Sequence, residues 1–364
     1  MKFVRFRAAA LAAALLCWLC APVSAQSPRV STSAYASLLL DAASGRILDE
    51  KRADERCLIA STTKIMTGLL VCESGKLDEP FRIPPEAVGI EGSSLYLTAG
   101  EELTVRELLY GLMLRSGNDA AVALAIAVAG SEDAFTAQMN EKAAALGLRN
   151  THYANPHGLD SAENYSTARD LAMLTRAALQ NETFRTVVST KSITIGSRVL
   201  TNHNKLLWQY PGAVGVKTGY TKQAGRLLVS AAERDGRLLI AVTISDPNDW
   251  ADHAALLDYG FSQFTVHQLV AVGDIVGQIP VIGGMEDSVA LLAALPFSYP
   301  LSAAEQPQLR LLAPHFVFAP CDSLSAALEI WLDGTRIGTI PLRLSAAVAE
   351  KPVQKSIVQQ IFGG

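Results

Sequence analysis

Ten consecutive apolar residues, Ala120 to Ala129, six of them alanine, leave no polar face at helical or strand period. A run of that length is too short to cross a bilayer, and a helix apolar all round belongs in the middle of a domain, enclosed by other elements. Candidates for the enclosing helices flank it. Thr104-Val105-Arg106-Glu107 is a capping box ahead of Leu108, Leu109, Leu112 and Met113. Ser131 can cap a helix carrying Phe135, Met139, Ala143 and Leu146 and closed by Gly147, and Thr167 one carrying Leu171 and Leu174. Residues 61–74 place Ile65, Met66, Leu69, Leu70 and Cys72 at helical spacing, with Gly75 just past the end.

Strands lie on both sides of this helical block. Residues 34–40 and 46–50 flank Asp41-Ala42-Ala43-Ser44-Gly45 as a hairpin-like opening. Near residue 212 the period changes, and Ala213 to Thr218, Arg226 to Ala232 and Leu238 to Ser245 read as strands, the last two joined through Asp235-Gly236. A helix from Asn248 to about Phe264 follows. Helices enclosed between the strands of one antiparallel sheet define an α+β domain over residues 30–265. Beyond it come short β-rich runs: Val266 to Val272, Ile275 to Ile282, Gln308 to Leu312, Leu328 to Leu332 and Thr335 to Leu342. They define a small β-rich C-terminal domain over 266–346 and leave 347–364 as a tail.

The 364 residues are 49% hydrophobic, with 31 basic and 35 acidic side chains and a formal net charge of −4, which excludes a disordered chain and disfavours a nucleic-acid partner. The basic residues are unevenly placed. Lys2, Arg5 and Arg7 precede an acid-free apolar run from Ala8 to Val23 that ends in Val23-Ser24-Ala25, the pattern of a signal peptide over residues 1–25. Its removal takes away three positive charges and no negative one, so an acidic protein is expected outside the cytoplasm. Cys17 and Cys20 leave with it. Cys57, Cys72 and Cys321 remain, an odd number without CxxC spacing, and neither a disulfide framework nor a metal site is expected. Small buried thiols are the reading, with a Cys57–Cys72 pair left open.

Chemistry is concentrated in three short elements. Ser61-Thr62-Thr63-Lys64 places a hydroxyl and an amine three residues apart at a helix start, on one face and within mutual reach. A serine is a weak nucleophile until a base takes its proton, and a lysine is such a base only when burial or a neighbouring cation lowers its pKa. Ser116-Gly117-Asn118 falls in the break between two helices, where side chains can point into a cleft. Lys217-Thr218-Gly219, at the end of a strand, offers a cation, a hydroxyl and close backbone approach for a substrate carboxylate.

In this order the trio resembles that of the penicillin-binding proteins and β-lactamases. The chain resembles most the low-molecular-weight penicillin-binding proteins that act as serine D-alanyl-D-alanine carboxypeptidases (peptidase S11), across roughly residues 34 to 264. The likeness runs through Ala60-Ser61-Thr62-Thr63-Lys64-Ile65-Met66-Thr67, Gly92-Ser93-Ser94-Leu95, Leu112 to Ala121, Asn155-Pro156-His157-Gly158-Leu159-Asp160 and Lys217-Thr218-Gly219-Tyr220-Thr221. It implies a β-lactamase/transpeptidase-like catalytic domain followed by a small all-β domain, and removal of the C-terminal D-alanine from peptidoglycan stem pentapeptides without a cofactor or metal. Ser61 would form the acyl-enzyme, with Lys64 as proton acceptor and Ser116 as relay to the leaving amine. Asn118 would hold the substrate amide, Lys217 and Thr218 the terminal carboxylate, and the backbone N–H groups of Ser61 and Tyr220, past Gly219, the oxyanion. β-Lactams would acylate the same serine.

Leu227 stands where many relatives carry cysteine. Relatives often end in an amphipathic helix on the membrane; here Val353 to Gly364 is short, and it is either a weak peripheral anchor or a frayed terminus. The histidines make no His-Glu-x-x-His, and His157 reads as a turn residue bonded locally. A D,D-endopeptidase, a β-lactamase or a non-catalytic penicillin-binding module on the same scaffold remain the alternatives. The absence of Glu-x-x-Leu-Asn between the second and third elements weighs against the lactamase, and the intact Ser61 and Lys64 against the silent module.

Overall fold

The computed structural model describes residues 30–352; the expected signal peptide and the residues after 352 lie outside it. The chain divides into two compact units, one ending at Gln263 and the other beginning at Phe264.

The first unit holds strands β1 (Ala36–Asp41) and β2 (Ile47–Lys51), then helices α1 (Lys64–Glu73), α2 (Val105–Arg115), α3 (Asn118–Ala129), α4 (Glu132–Ala145), α5 (Ala168–Ala178) and α6 (Glu182–Ser189). Strands β3 (Ala213–Thr221), β4 (Gly225–Arg234) and β5 (Arg237–Ile244) and helix α7 (Asp249–Gln263) complete it. The five strands form one antiparallel sheet in the order β2-β1-β5-β4-β3, so the two ends of the unit meet at its centre, where β1 pairs with β5 from Ala36–Ile244 to Asp41–Leu239. Every residue of β1 is buried, as required of a central strand covered on both faces. Leu38 and Leu40 join the helical core. Leu39, pointing the other way, meets α7 at Gly260, where an added Cβ would stand 2.9 Å from Leu39 Cδ2 and 2.6 Å from Leu239 Cδ1.

The capping box closes as its spacing predicts: Thr104 Oγ1 accepts from Glu107 N at 3.2 Å and Glu107 Oε2 from Thr104 N at 2.7 Å. Ser131 and Thr167 cap α4 and α5, and Asn181 caps α6, a helix that sequence periodicity left unread. In α3, Ala120 to Ala125 are no more than 2% exposed, enclosed by α1, α2 and α4, while Ile126 to Ala129 are half-buried; the all-round burial expected of the apolar run holds for its first half.

In the second unit, β6 (Thr265–Val270) pairs with β9 (Phe297–Leu301), and six strands follow the order β10-β12-β13-β8-β7-β11, with β7 Ile275–Ile282, β8 Ser288–Ala293, β10 Gln308–Leu312, β11 Val317–Phe318, β12 Ala327–Leu332 and β13 Thr335–Leu344. β8, β9 and β11 were not among the strands read from sequence. Its own core gathers Val270, Ile279, Leu291, Leu328, Ile330 and Ile340. The expected tail starts too early: Val348 exchanges backbone hydrogen bonds with Cys321, and Lys351 N donates to Gly283 O. Cys57, Cys72 and Cys321 are free thiols; Cys72 is buried, and burial pushes it up to about 12, while the other two are half-buried.

Candidate active site

Ser61 does not lie in the regular α-helix that its spacing from Lys64 suggested. It sits in a 3-10 turn, Ala60–Thr63, and Lys64 is the first residue of α1. The turn is pinned from several sides. Thr62 donates from N and Oγ1 to Ile59 O at 3.1 and 2.6 Å, Thr63 Oγ1 accepts from Asn164 Nδ2 at 3.1 Å, and Thr67 Oγ1 donates to Pro156 O at 2.6 Å. The Asn155–Leu159 loop presses against it. Asn155 Oδ1 accepts from Gly158 N at 2.7 Å, and Gly158, at φ 88°, comes so close that an added Cβ would stand 2.0 Å from Ala60 O.

Lys64 is fully buried, and its Nζ faces three groups: Ser61 Oγ at 3.0 Å, Asn118 Oδ1 at 2.7 Å and the carbonyl oxygen of His157. Burial, with the Lys217 cation as the next cause, pushes its pKa well below the ordinary lysine value, against a smaller pull from Asp119. Two of its three neighbours can only accept. In its neutral form the amine would spend its two N–H bonds on Asn118 and His157 and turn its lone pair to the Ser61 hydroxyl, the arrangement a general base needs. The His157 ring accepts from Leu159 N at 3.2 Å, the local bond its turn context implied, and its Nε2 also lies 3.5 Å from Glu132 Oε1 at the start of α4; its carbonyl is the part that reaches the site.

Asn118, at the start of α3, is held by its N–H to Ser93 O at 2.7 Å and by Nδ2 to Glu91 O at 2.5 Å. Its neighbour Asp119 accepts from Leu95 N, Leu97 N and Ser94 Oγ, so the short break between α2 and α3 also organises the loop over residues 91–97. Ser116 closes α2 in the left-handed region at φ 61° and lines the cleft. The third element lies inside β3, which runs three residues past the strand end expected at Thr218. Gly219 packs on the serine turn, where an added Cβ would meet Thr62 N and Thr62 Cγ2 at 3.3 Å and Ala60 Cβ at 3.4 Å.

The cleft, about 330 Å³, is lined by Ser61, Ser116, Thr218, Gly219 and Tyr220 among the sequence-identified residues. Lys64, Asn118 and Lys217 lie behind that wall. Lys217 is 1% exposed, its Nζ donates to Thr218 O at 2.8 Å, and burial lowers its pKa to about 7. Successive strand side chains face opposite ways, so the cation and hydroxyl of this element serve different sides of β3. Ser93, from the Gly92-Ser93-Ser94-Leu95 run, is also on the cleft wall; sequence reasoning missed His203, Lys205, Arg226, Asp249 and Trp250 there. Burial, then the Lys217 and Arg115 cations, hold His203 below the ordinary imidazole range. No spacing signal marks these residues, because the fold collects them from separate segments.

A serine on a constrained turn, a buried amine of lowered basicity facing its hydroxyl, and a strand edge alongside define a serine acyl-transfer site. The comparisons place it further. Residues 22–248 match the family model for D-alanyl-D-alanine carboxypeptidase, and the chain belongs to that family of serine carboxypeptidases and penicillin-binding proteins. It is 33% identical to the D-alanyl-D-alanine carboxypeptidase DacF of Bacillus subtilis over 90% of this chain and 86% of that one. It is 36% identical to DacA of Escherichia coli over 72% and 69%. The structure of penicillin binding protein 5 from Haemophilus influenzae superimposes with a TM-score of 0.77 at 30% identity, over 89% of this chain and all of that one.

Proposed function

We propose that the protein removes the terminal D-alanine from peptidoglycan stem peptides ending in D-Ala-D-Ala through an acyl-enzyme on Ser61, and that β-lactams acylate the same oxygen. The observation that carries this reading is the Lys64 amine between two acceptor-only oxygens and the Ser61 hydroxyl. Ser61 Oγ attacks the carbonyl carbon of the penultimate residue as its proton passes to Lys64 Nζ. The tetrahedral oxyanion is held by the N–H groups of Ser61 and Tyr220, an assignment supported by the packing of Gly219 on the serine turn. As the C–N bond breaks, the proton moves through Ser116 to the departing amine and free D-alanine leaves. Water then attacks the ester, gives its proton to Lys64, and the Ser61 hydroxyl is restored.

Asn118 is tied to Lys64 and Glu91 and supports the base as well as the substrate amide. A β-lactamase needs an added carboxylate for deacylation. The cleft wall carries only Asp249 among the described residues, and both of its oxygens are taken by Arg226. That favours carboxypeptidase. Export is part of the proposal and is supported by the pattern of residues 1–25, which would bring the enzyme to its substrate outside the cytoplasm. Peripheral membrane contact through residues 353–364 is supported only by Ile357, Val358, Ile361 and Phe362 beside Lys355. Incubation with an N-acylated peptide ending in D-Ala-D-Ala tests the activity: stoichiometric D-alanine supports the reading, and none from folded protein refutes it.

A further inference from the structure

Arg226, the second residue of β4, stands opposite Tyr220 of β3, and Leu228 stands opposite Thr218. Side chains two apart on a strand share a face, so Arg226 is the diagonal neighbour of Thr218, about 7–8 Å away and within reach of a long side chain. Both line the cleft. Asp249, buried in the first turn of α7, holds one edge of the guanidinium: Nε donates to Oδ2 at 3.1 Å, and Nη2 to Oδ1 at 2.9 Å and to Oδ2 at 2.8 Å. Nη1, with two N–H donors, has no hydrogen bond among the described residues, and the side chain is 45% exposed.

A guanidinium clamped along one edge and open along the other has its fork fixed before a ligand arrives, the arrangement that recognises a carboxylate. Lys217 is placed otherwise, behind the cleft wall and bonded to a backbone oxygen. We propose that Arg226, positioned by Asp249, is a specificity-determining residue whose Nη1 edge donates to the terminal carboxylate of the substrate, shared with the Thr218 hydroxyl. The inference rests on the carboxypeptidase reading and deepens it. A peptide bond inside a chain puts an amide where that carboxylate lies, so Arg226 selects terminal over internal cleavage.

Two acyl donors isolate this role: an N-acylated peptide ending in D-Ala-D-Ala, whose leaving group carries the carboxylate, and the matching N-acyl-D-alanine methyl thioester, whose leaving group carries none. The reading is the ratio of kcat/KM for the acid to kcat/KM for the thioester, which reports the acylation step while the leaving group is still in place. Arg226→Gln is expected to lower that ratio by roughly tenfold or more, mainly through KM on the acid, the worth of one charge-assisted hydrogen bond. Asp249→Asn, which frees the guanidinium to swing, lowers it in the same direction. A smaller fall in Arg226→Gln, or an equal loss on both donors, overturns the proposal. Arg226→Lys serves in its place if the glutamine variant fails to fold, judged by the same tenfold criterion. If the wild-type protein turns over neither donor and takes no penicillin adduct, the carboxypeptidase reading itself has failed, and the Arg226 assignment falls with it.

Discussion

Lys64 Nζ lies 3.0 Å from Ser61 Oγ across the junction of a 3-10 turn and an α-helix, and the two carbonyl oxygens on its other sides come from residues 54 and 93 positions further along the chain. The base is thus set by tertiary contacts as much as by the local spacing of three. In the proposed mechanism, Asn118 and the Asn155–Leu159 loop act by deciding which way the amine lone pair points.

Lys64→Met removes the base and keeps the length of the side chain. Acylation by benzylpenicillin should slow by roughly 10²–10⁴-fold, the usual worth of a positioned general base. Stability should fall as well, since the Asn118 and His157 oxygens lose their donor; each buried unsatisfied group costs about 1–3 kcal/mol. Stopped-flow acylation and thermal unfolding check the two effects separately. An acylation rate equal to wild type would remove Lys64 from the mechanism.

If Lys64 is the base, Lys217 sets its working range. A like charge nearby disfavours the ammonium form, so while Lys217 keeps its proton, below about pH 7, it pushes the Lys64 pKa down. Lys217→Met removes the repulsion and raises the Lys64 pKa, so the rising limb of the acylation pH profile should move to higher pH. Lys217→Arg keeps a cation and should leave the limb near its original place. The two lysines titrate as a pair, so the profile is compared as a whole. A limb that stays put, or moves to lower pH, in Lys217→Met would contradict the electrostatic account.

Gly158→Ala should disable the site from a loop that carries no reacting group. At φ 88° the alanine is strained, by about 1–3 kcal/mol, and its Cβ would stand 2.0 Å from Ala60 O, so the serine turn has to move. Displacement of a nucleophile by about 1 Å costs on the order of 10²-fold in rate. The expected result is a folded protein with penicillin acylation slowed by about that factor; wild-type acylation would mean that the turn does not depend on the loop.

Much of this was legible where one short segment carries the physics. The capping box at Thr104 and Glu107, the Asp235-Gly236 turn, the Ala120–Ala129 run and the three-residue spacing of Ser61 and Lys64 each need only their neighbours. The resemblance added the grouping of Ser116, Asn118 and Lys217 with them. The rest depends on chain segments meeting. The His157 carbonyl is any backbone oxygen until the loop folds onto Ala60. Arg226 and Asp249 are 23 positions apart and read singly as a strand residue and a helix-start acid. The resemblance implied Lys217 beside Thr218 on the carboxylate; in the structure Lys217 is 1% exposed, its Nζ donates to Thr218 O and its charge acts on Lys64, a placement that no spacing in the sequence gives. In the second unit, β9 was missed because Phe297–Leu301 is short and contains Pro300.

The central claim is that Ser61 is the acylated nucleophile. Intact-mass spectrometry of wild-type and Ser61→Ala protein after incubation with benzylpenicillin tests it directly. The account predicts one added penicilloyl group on the wild type and none on the variant; an adduct that persists in Ser61→Ala would contradict it.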